Sequence, residues 1–347
     1  HGGGARLATM LRIDEFDYDL PDESISQTPC EPRDAARLLD ALAIDTGPIH
    51  RHVSDLPSLI RAGDVIVVND TRVIPARLAL QKTTGGAVEV MLLDPRDDGT
   101  WRALVRPSRR VKPGTTVLDM AGDEVLGVED DLGGGVRAVR SVTSESVLEI
   151  AHRVGQVPLP PYITSGYADA ERYQTVYARN EGSVAAPTAG LHFTPELMQQ
   201  CREAGAKILR VELAVGLGTF RPILVDDIND HEMHAERFFV PAEVLKACLE
   251  AERVIAIGTT SVRALESAAT FGTVQGSTEL FISPGYEFKV VDVLLTNFHQ
   301  PKSSLLVMLC AFAGPRWRDL YADALADNYR FLSFGDAMIV ARSHEAH

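Results

Sequence analysis

Residues 253–266 have the sequence R-V-I-A-I-G-T-T-S-V-R-A-L-E, and this stretch decides the fold class. Its first half is a short apolar run, typical of a buried β-strand, that ends at Gly258. Thr259 and Thr260 then open a segment with apolar residues at helical spacing. A buried strand that passes through a glycine turn into a helix is typical of an α/β sheet. The backbone N–H groups and hydroxyls at such a helix start predict a pocket for an anion or a hydroxyl group.

A second stretch indicates a ligand next to the same kind of turn. Residues 182–193 have the sequence G-S-V-A-A-P-T-A-G-L-H-F, which shows neither strand alternation nor helical spacing. A surface loop is normally polar, so this loop of small residues around His192 predicts backbone packed against a ligand. Thr194 as a cap and Pro195 in the first turn predict a helix directly after the loop, ending at Gly205.

Two more predicted strands end in turns with polar residues. Residues 207–215 predict a strand that breaks at Gly216-Leu217-Gly218, and residues 290–297 predict a strand that leads into an apolar helix at 305–312. Ligands of open α/β sheets bind where such strands end. The alternation of strands and helices in this half of the chain predicts a sheet covered by helices.

The earlier part of the chain has a different pattern. Short alternating runs such as V-E-V-M-L-L at 88–93 are separated by turns rich in Gly, Asp and Pro, which is typical of a small β-barrel. A short helix is predicted near 34–39. The predicted fold class is an α/β (α+β) main domain interrupted by an inserted small antiparallel β-barrel domain. The predicted bounds are 1–9 for an expression remnant, 10–73 and 155–347 for the α/β catalytic domain, and 74–154 for the barrel.

The composition limits the classes of function. The chain has 347 residues, of which 45% are hydrophobic, enough for a large core and two domains. No apolar run is long enough to cross a bilayer and no signal peptide precedes Met10, so we expect a cytoplasmic protein without a membrane partner. The 34 basic and 48 acidic residues give a net charge of −14, which argues against broad nonspecific binding to nucleic acid.

One basic cluster departs from this acidic average. Arg106, Arg109, Arg110 and Lys112 lie within the sequence W-R-A-L-V-R-P-S-R-R-V-K-P-G at 101–114. They indicate either a patch that binds RNA phosphates, with an affinity that falls steeply with salt, or the solvated face of a basic hairpin. The sequence alone gives these two interpretations equal weight.

No metal site is predicted. The sequence His231-Glu232-Met233-His234 has two histidines three residues apart, but its neighbours predict a loop entering a strand, and no third ligand is indicated. The four cysteines are scattered without paired spacing, so neither a zinc site nor a disulfide framework is indicated. Those on apolar helix faces are expected to be buried reduced thiols.

A series of motifs runs in order along the chain. Its strings are N-D-T-R-V-I-P-A-R-L (69–78), V-P-L-P-P-Y-I (157–163), Y-Q-T-V-Y (173–177), A-A-P-T-A-G-L-H-F (185–193), G-L-G-T-F-R-P (216–222), M-H-A-E (233–236), G-T-T-S-V-R-A-L-E-S (258–267), P-G-Y-E-F-K-V-V-D-V-L-L-T-N-F-H (284–299) and Y-R-F-L-S-F-G-D-A-M (329–338). This ordered set resembles the S-adenosylmethionine:tRNA ribosyltransferase-isomerases of queuosine biosynthesis over nearly the whole chain from Met10. Ser283 and Gln300 depart from the family's pattern, in which an aromatic and an apolar residue are expected.

The resemblance implies both a fold and a reaction. The fold is an α/β domain interrupted by a β-barrel. In the reaction, S-adenosylmethionine donates its ribosyl carbons to the aminomethyl group of a 7-deazaguanine (preQ1-type) base at the wobble position of tRNA. The ribose becomes an epoxycyclopentanediol, which gives epoxyqueuosine-tRNA, and adenine and methionine are released. No cofactor beyond S-adenosylmethionine, itself a substrate, is implied, and the protein is expected to be a monomer or a homodimer.

Such a reaction needs a base and an acid near the ribose. The cationic sulfur acidifies the protons of its neighbouring carbon, but a base must still remove one. We expect His192 first and His234 second for this role, with Glu236 orienting His234 or accepting a ribose hydroxyl, and Asp336 supplying the acid for adenine departure. The structural alternatives are a helix-entry contact for His192 and a turn cap for Asp336.

Substrate binding is expected at the loops of the matched strings. Thr259 and Thr260 are expected to hold a carboxylate or hydroxyl, and Arg263 to pair with the methionine carboxylate or a tRNA phosphate. A local ion pair of Arg263 with Glu266 is the structural alternative. The other expected contacts are Arg72, Pro187, Thr188, Ala189, Gly190, Gly218, Thr219, Phe220, Tyr286, Asn297 and His299.

Two other functional classes fit the sequence less well than the ribosyl transfer. An ordinary S-adenosylmethionine methyltransferase has a glycine-rich turn after its first strand and an acidic residue at the end of its second, and neither feature occurs here. A noncatalytic RNA-binding protein on the same fold is expected to lose the small-residue loops, yet the matched strings are intact. Release of adenine distinguishes the three classes.

Overall fold

The computed structural model describes residues 11–167, 169–216, 218 and 222–343, so the predicted expression remnant lies outside the described residues. The chain divides by its internal contacts into two compact units. The described residues of the first unit are 11–69, 188–213, 218 and 222–343, and those of the second are 70–167, 169–187 and 214–216.

Strands dominate both units, and the longer helices belong to the first. In chain order the strands are β1 (Arg37–Ala41), β2 (Ile49–His52), β3 (Val65–Asn69), β4 (Thr71–Val73), β5 (Arg77–Lys82), β6 (Ala87–Pro95), β7 (Trp101–Arg106), β8 (Thr116–Leu118), β9 (Glu124–Gly133), β10 (Val136–Ser141), β11 (Gly155–Gln156), β12 (Asn180–Ser183), β13 (Lys207–Leu213), β14 (Glu236–Phe239), β15 (Val254–Ile257), β16 (Gln275–Thr278), β17 (Val293–Asn297) and β18 (Ala337–Ala341). The α-helices are α1 (Val147–Val154), α2 (Pro195–Glu203), α3 (Ala242–Glu250), α4 (Thr259–Phe271), α5 (Ser304–Ala313) and α6 (Trp317–Ala326). Short 3-10 helices include Arg33–Ala35, Ser108–Arg110 and Thr188–His192.

The first unit is built on a mixed sheet with the strand order β16-β14-β13-β3-β15-β17-β18-β1-β2. Strands β13, β3, β15 and β17 run parallel, whereas β14 runs antiparallel to β13 and β18 antiparallel to β17. The ends of the four parallel strands and the starts of β14 and β18 therefore share one edge of the sheet, which we call the carboxyl edge. Every residue of strands β3 and β15 is buried, and all except Asn69 are apolar, as expected for parallel strands covered on both faces.

The second unit contains a closed antiparallel barrel. Its strands follow the order β5-β6-β7-β10-β9-β8, and β8 pairs back onto β5 to close the ring. Every second side chain points inwards, so residues such as Leu78, Val90 and Val105 are buried in one continuous core. The presence of both this barrel and the α/β sheet of the first unit confirms the predicted fold class. The predicted domain bounds stay a prediction, and the second compact unit, which begins at Asp70 and continues to Pro187, is wider than the predicted barrel domain of 74–154.

The helix predicted near 34–39 is wrong. A 3-10 turn at Arg33–Ala35 leads into strand β1, whose Leu38 pairs with Ala337 of β18 and with Arg51 of β2. Four of the five β1 residues are buried. Pairing on both sides within a buried sheet outweighs the weak local preference of the sequence for a helix.

Other predicted elements are confirmed. Helix α2 begins at Pro195, and the hydroxyl of its cap Thr194 accepts a hydrogen bond from Leu197 N at 3.0 Å. Cys201 and Cys248 are buried thiols, and burial raises their pKa to about 11 and about 12. Among the described helices, none is both long enough and apolar enough to span a membrane.

Candidate active site

The carboxyl edge collects polar residues from several strands. Gly258 directly follows β15, and Asn297 is the last residue of β17. Glu236 begins β14 at the same edge. The N–H of Gly258 donates to Leu295 O at 2.7 Å, which joins the ends of two neighbouring strands. Parallel strand order thus brings together residues that are up to 61 positions apart in the sequence.

Helix α4 starts at this edge without a side-chain cap. Its N-cap residue Gly258 has a φ of +84°, and a Cβ there would lie 3.4 Å from Ala189 Cβ and 3.6 Å from Thr260 Oγ1. Thr260 is buried, and its hydroxyl has no hydrogen-bond partner among the described residues. The first N–H groups of a helix also lack intrahelical partners. This helix start favours the binding of a carboxylate or a sugar hydroxyl, because it offers backbone N–H groups, the positive end of the helix dipole and the Thr260 hydroxyl.

His192 lies at the end of the 3-10 helix Thr188–His192 and is held by Asn297. The Asn297 side-chain N–H₂ donates to Leu332 O at 3.1 Å and approaches His192 Nε2 at 3.3 Å, and Asn297 Oδ1 accepts from Thr188 Oγ1 at 3.2 Å. A backbone carbonyl only accepts, so Leu332 O fixes the orientation of the amide. The network therefore assigns Nε2 of His192 as the acceptor, with the ring proton of the neutral imidazole on Nδ1.

This arrangement changes the predicted order of the two candidate bases. The Nε2 lone pair of His192 is engaged by Asn297, so His192 can take up a proton only when that hydrogen bond opens. His192 is also buried, whereas His234 is exposed at a cavity. The geometry thus favours His234 over His192, the reverse of the sequence-based ranking.

His234 lines a cavity of about 350 Å³, within the range of small-molecule sites. A Cβ at Gly218 would lie 2.1 Å from His234 Cδ2, so only glycine leaves room for this imidazole. His231 lies in the same cavity, and burial, followed by the charge of His234, lowers its pKa. The other residues that line the cavity are Pro222, Leu224, Val225, Asp230, Glu232, Met233, Glu236 and Ser304.

Glu236 forms a buried ion pair with Arg263 of α4. Both side chains are 5% exposed, and the guanidinium also approaches Thr278 O at 3.5 Å. The predicted local pair of Arg263 with Glu266 is wrong, because Glu266 accepts hydrogen bonds from the backbone N–H groups of residues 289–291 instead. Arg263 is buried and its positive charge is paired with Glu236, which does not favour the expected contact with a tRNA phosphate. One donor, Arg263 Nε, has no partner among the described residues.

Asp336 lies at the carboxyl edge but its carboxylate is fully used. It accepts from the backbone N–H groups of Arg37 and Arg330 at 3.0 and 2.8 Å, and from the Arg330 guanidinium at 2.9 Å. Its side chain is 2% exposed. All three donors come from the two segments that the carboxylate joins, so these contacts support the turn-cap alternative.

His299 is buried just after β17. Its Nε2 lies 2.9 Å from Thr296 Oγ1, and its backbone N–H donates to Tyr321 Oη at 2.8 Å. Burial lowers the pKa of His299 to about 3. The imidazole is therefore neutral at physiological pH and stays so when the solution is made mildly acidic.

Comparison with known proteins identifies the group to which this chain is related. A family model described as "Queuosine biosynthesis protein" matches residues 13–340. The chain belongs to this queuosine biosynthesis family. It is 49% identical to the S-adenosylmethionine:tRNA ribosyltransferase-isomerase of Rubrobacter xylanophilus, over 95% of this chain and 98% of the relative. It is 48% identical to the protein of that name from Moorella thermoacetica, over 95% and 100% of the two chains.

A solved structure supports the fold of this queuosine biosynthesis protein. The crystal structure of an S-adenosylmethionine tRNA ribosyltransferase from Thermotoga maritima is similar to it with a TM-score of 0.54. The two sequences are 34% identical, and the match covers 94% of this chain and 99% of the other. The recognition made from the ordered motifs is thus confirmed.

Several residues expected at the family's substrate site have other contacts, belong to the second unit or lie outside the described residues. Tyr286 donates to Glu266 at 3.1 Å and lies 3.0 Å from Thr270 Oγ1. Thr270 is near the end of α4, about 16 Å along the helix from Thr259 at a rise of 1.5 Å per residue. These contacts give Tyr286 a structural role. Arg72 and Pro187 belong to the second unit, where Arg72 pairs with Glu171 at 2.6 Å. Thr219 and Phe220 lie outside the described residues.

The remaining expected contacts in this queuosine biosynthesis protein are buried at the carboxyl edge. Ala189 and Gly190 lie in the 3-10 helix that carries His192, and Thr259 begins α4. Sequence analysis did not place His231 or Ser304 at the site, although both line the cavity of His234. Its only signal for His231 was the histidine pair considered as metal ligands. In the described part of the chain, no group of three or more His, Cys, Asp or Glu side chains is arranged to hold a metal ion.

Proposed function

We propose that this protein is an S-adenosylmethionine:tRNA ribosyltransferase-isomerase of queuosine biosynthesis. It transfers the ribosyl carbons of S-adenosylmethionine to the aminomethyl group of the modified wobble base of tRNA and isomerises them. The products are epoxyqueuosine-tRNA, adenine and methionine. S-Adenosylmethionine is a substrate in this proposal, and no further cofactor takes part.

One observation carries the proposal. The two S-adenosylmethionine:tRNA ribosyltransferase-isomerases compared above align over 98% and 100% of their own lengths. The alignments therefore span the loops of the carboxyl edge. The contacts at that edge agree with the chemistry. A helix start with an unpartnered buried hydroxyl and an exposed histidine at a cavity provide a binding group and a base within one unit.

The residues divide into binding and proton-transfer roles. Thr260 and the first N–H groups of α4 bind the methionine carboxylate or a ribose hydroxyl, which gives the Thr260 hydroxyl a partner that it lacks among the described residues. His234 removes the proton that the sulfonium acidifies. The Glu236–Arg263 pair holds β14 against α4 and so fixes the strand that begins two residues after His234. His192, oriented by Asn297, supplies a neutral imidazole at the same edge.

The identity of the accepted base is the finer part of the proposal. We expect the aminomethyl-deazaguanine of the preQ1 type, because its primary amine is the nucleophile that the transfer requires. Since its substrate would be a tRNA, we place the enzyme in the cytoplasm. The basic residues of the barrel, which bear on tRNA binding, are treated in the next subsection.

The test is a product analysis. Purified protein is mixed with S-adenosylmethionine and a tRNA carrying the aminomethyl-deazaguanine, and adenine and methionine are followed by chromatography while the nucleoside is followed by mass. We expect stoichiometric adenine and methionine with a ribosyl-sized gain. The same tRNA with guanine at the wobble position is the matched control and should give neither product. S-Adenosylhomocysteine with a methyl-sized gain would instead identify a methyltransferase, and tRNA binding without turnover would identify a binding protein.

A further inference from the structure

One turn of the barrel carries exposed positive charges that have no carboxylate partner among the described residues. We call residues 106–112 the basic turn; its cations are Arg106, Arg109, Arg110 and Lys112. All four are exposed, and none forms an ion pair or a side-chain hydrogen bond with another described residue. The sequence contains no acidic residue from 99 to 118, in a chain whose net charge is −14.

Among the described arginines of the barrel and of helix α1, this absence of pairing is confined to the basic turn. The arginines between 77 and 153 outside the basic turn each have a carboxylate within 4 Å. These pairs are Arg77–Glu89, Arg96–Asp98, Arg102–Asp94, Arg137–Asp131, Arg140–Glu129 and Arg153–Asp119. Arg106 lies opposite Glu89 in the sheet, but that carboxylate bonds Arg77 at 2.6 Å. An ordinary solvated face of this barrel would be paired in the same way, so the solvated-hairpin alternative does not account for the basic turn.

The backbone of the basic turn is held in place by buried residues. Val111 is fully buried in the barrel core. The side chain of Arg137 is 7% exposed and donates to Ser108 O at 3.0 Å and to Val111 O at 3.3 Å, while Asp131 neutralises its charge. The cations therefore project from a main chain that is fixed by hydrogen bonds and by a buried side chain. Little conformational entropy of this main chain would be lost when a partner binds.

We propose that the basic turn binds the phosphate backbone of the tRNA substrate, an inference that rests on the proposed function. Unpaired cations on a fixed turn are suited to a polyanion, because they form charge-assisted contacts without first breaking ion pairs within the protein. Phosphate contacts position a nucleic acid without reading its sequence. The basic turn thus contributes affinity for tRNA, and chemistry remains with the carboxyl edge.

The experiment measures tRNA binding against salt. The Kd of unmodified tRNA is determined by filter binding between 50 and 200 mM salt for the wild type, for Arg109→Gln/Arg110→Gln, and for Arg140→Gln, whose arginine is paired with Glu129. We expect the double variant to bind about tenfold more weakly and its salt slope to fall by about 1.5, because two phosphate contacts are lost. Arg140→Gln should leave both values unchanged. The charge-preserving variant Arg109→Lys/Arg110→Lys should keep most of the affinity.

The turnover assay separates this inference from the proposed function. In the double variant the KM for tRNA should rise about tenfold, while kcat and the KM for S-adenosylmethionine stay at wild-type values. An unchanged Kd and salt slope in a folded double variant, verified by its thermal transition, would overturn the role of the basic turn even if adenine is released. If the wild type binds tRNA but releases no adenine, and the double variant loses tRNA binding, the role of the basic turn is supported and the proposed reaction is refuted.

Discussion

The two edges of the same mixed sheet differ in how particular buried polar groups are paired. At the amino end of β15, Arg253 donates to Asp64 at 2.9 Å and to Leu59 O at 2.9 Å, beside a cavity of about 840 Å³. At the carboxyl edge Thr260 Oγ1 and Arg263 Nε are buried without partners among the described residues. The cavity at the carboxyl edge, about 350 Å³, is the smaller of the two.

The pairing of buried polar groups distinguishes an edge that stabilises the fold from an edge that binds ligands better than the volume of the cavity does. The Arg253–Asp64 and Arg342–Asp292 pairs at the amino edge are formed within the protein, so a ligand at that cavity would have to compete with them. Arg316 Nε, beside the ends of β1 and β18, is the exception at this edge, because it is buried without a partner among the described residues. At the carboxyl edge, the Thr260 hydroxyl and Arg263 Nε gain partners only when something binds. The open ends of parallel strands are also where α/β sheets bind ligands. Variants at each edge should accordingly change different measured quantities.

Replacing the exposed histidine of the carboxyl edge should have the largest effect. His234→Gln keeps a polar side chain of similar reach but removes the base, so kcat should fall by about 10²- to 10⁴-fold. The affinity for S-adenosylmethionine and the thermal transition should stay near wild type. The rate of adenine release under saturating substrates measures kcat. Calorimetry measures the affinity for S-adenosylmethionine and the thermal transition.

Two matched histidine variants define how that result is interpreted. His52→Gln changes an exposed histidine of β2 and should leave kcat unchanged. His192→Gln tests the buried candidate, whose lone pair is engaged by Asn297. If His192→Gln abolishes turnover while His234→Gln does not, the base assignment drawn from this geometry is refuted and the sequence-based ranking is restored.

The amino edge should respond in stability alone. Arg253→Met keeps the apolar part of the side chain but leaves the carboxylate of Asp64 buried, which should lower the free energy of unfolding by about 3 kcal/mol. Urea unfolding measures this change. At a temperature where the variant is folded, kcat and both KM values should match the wild type. A variant with unchanged stability and impaired turnover would show that the amino edge takes part in function.

The buried histidine after β17 should make stability depend on pH. The pKa of His299 is about 3 in the folded protein and near 6.5 when the chain is unfolded, so below pH 6.5 the unfolded state binds a proton that the folded state does not. Stability is thus lost as pH falls. From pH 7 to pH 5 this single group should lower the free energy of unfolding by about 2 kcal/mol. In His299→Gln the loss over that interval should be about 2 kcal/mol smaller, as measured by urea titrations at the two pH values. An equal loss in wild type and variant would mean that His299 is protonated in the folded protein.

Local signals predicted the helices and strands of the carboxyl edge well. Thr194 as a cap and Pro195 in the first turn predicted the start of α2, and the glycine turn at Gly258 predicted α4. These signals act over a few residues, so a single sequence contains them. Strand β1 was missed because its partners, Arg51 and Ala337, lie at long range and no local pattern encodes the pairing.

The pairing of charges at the site could not be predicted for the same reason. Sequence spacing offered Glu266 to Arg263, three residues away on one helix, whereas the fold brings Glu236 from the start of β14. Asp336 was predicted as an acid from its motif, but its donors come from Arg37 and Arg330. Position in the sheet was thus predictable from strand ends, while the partner of each charge depended on contacts between distant segments.

The smallest expected effect tests the unpartnered hydroxyl itself. Thr260→Val keeps the shape of the side chain and removes only a group that has no hydrogen bond among the described residues, so stability should not fall. The affinity for S-adenosylmethionine, measured by calorimetry, should weaken about tenfold, or about 1.4 kcal/mol, because the ligand loses one hydrogen bond in a buried site. Thr270→Val on the same helix is the matched control, since Thr270 Oγ1 contacts Tyr286 at 3.0 Å. It should lower stability and leave the affinity unchanged. The reverse outcome, a destabilised Thr260→Val with wild-type affinity, would mean that the Thr260 hydroxyl stabilises the fold and that the two edges do not differ in the way argued above.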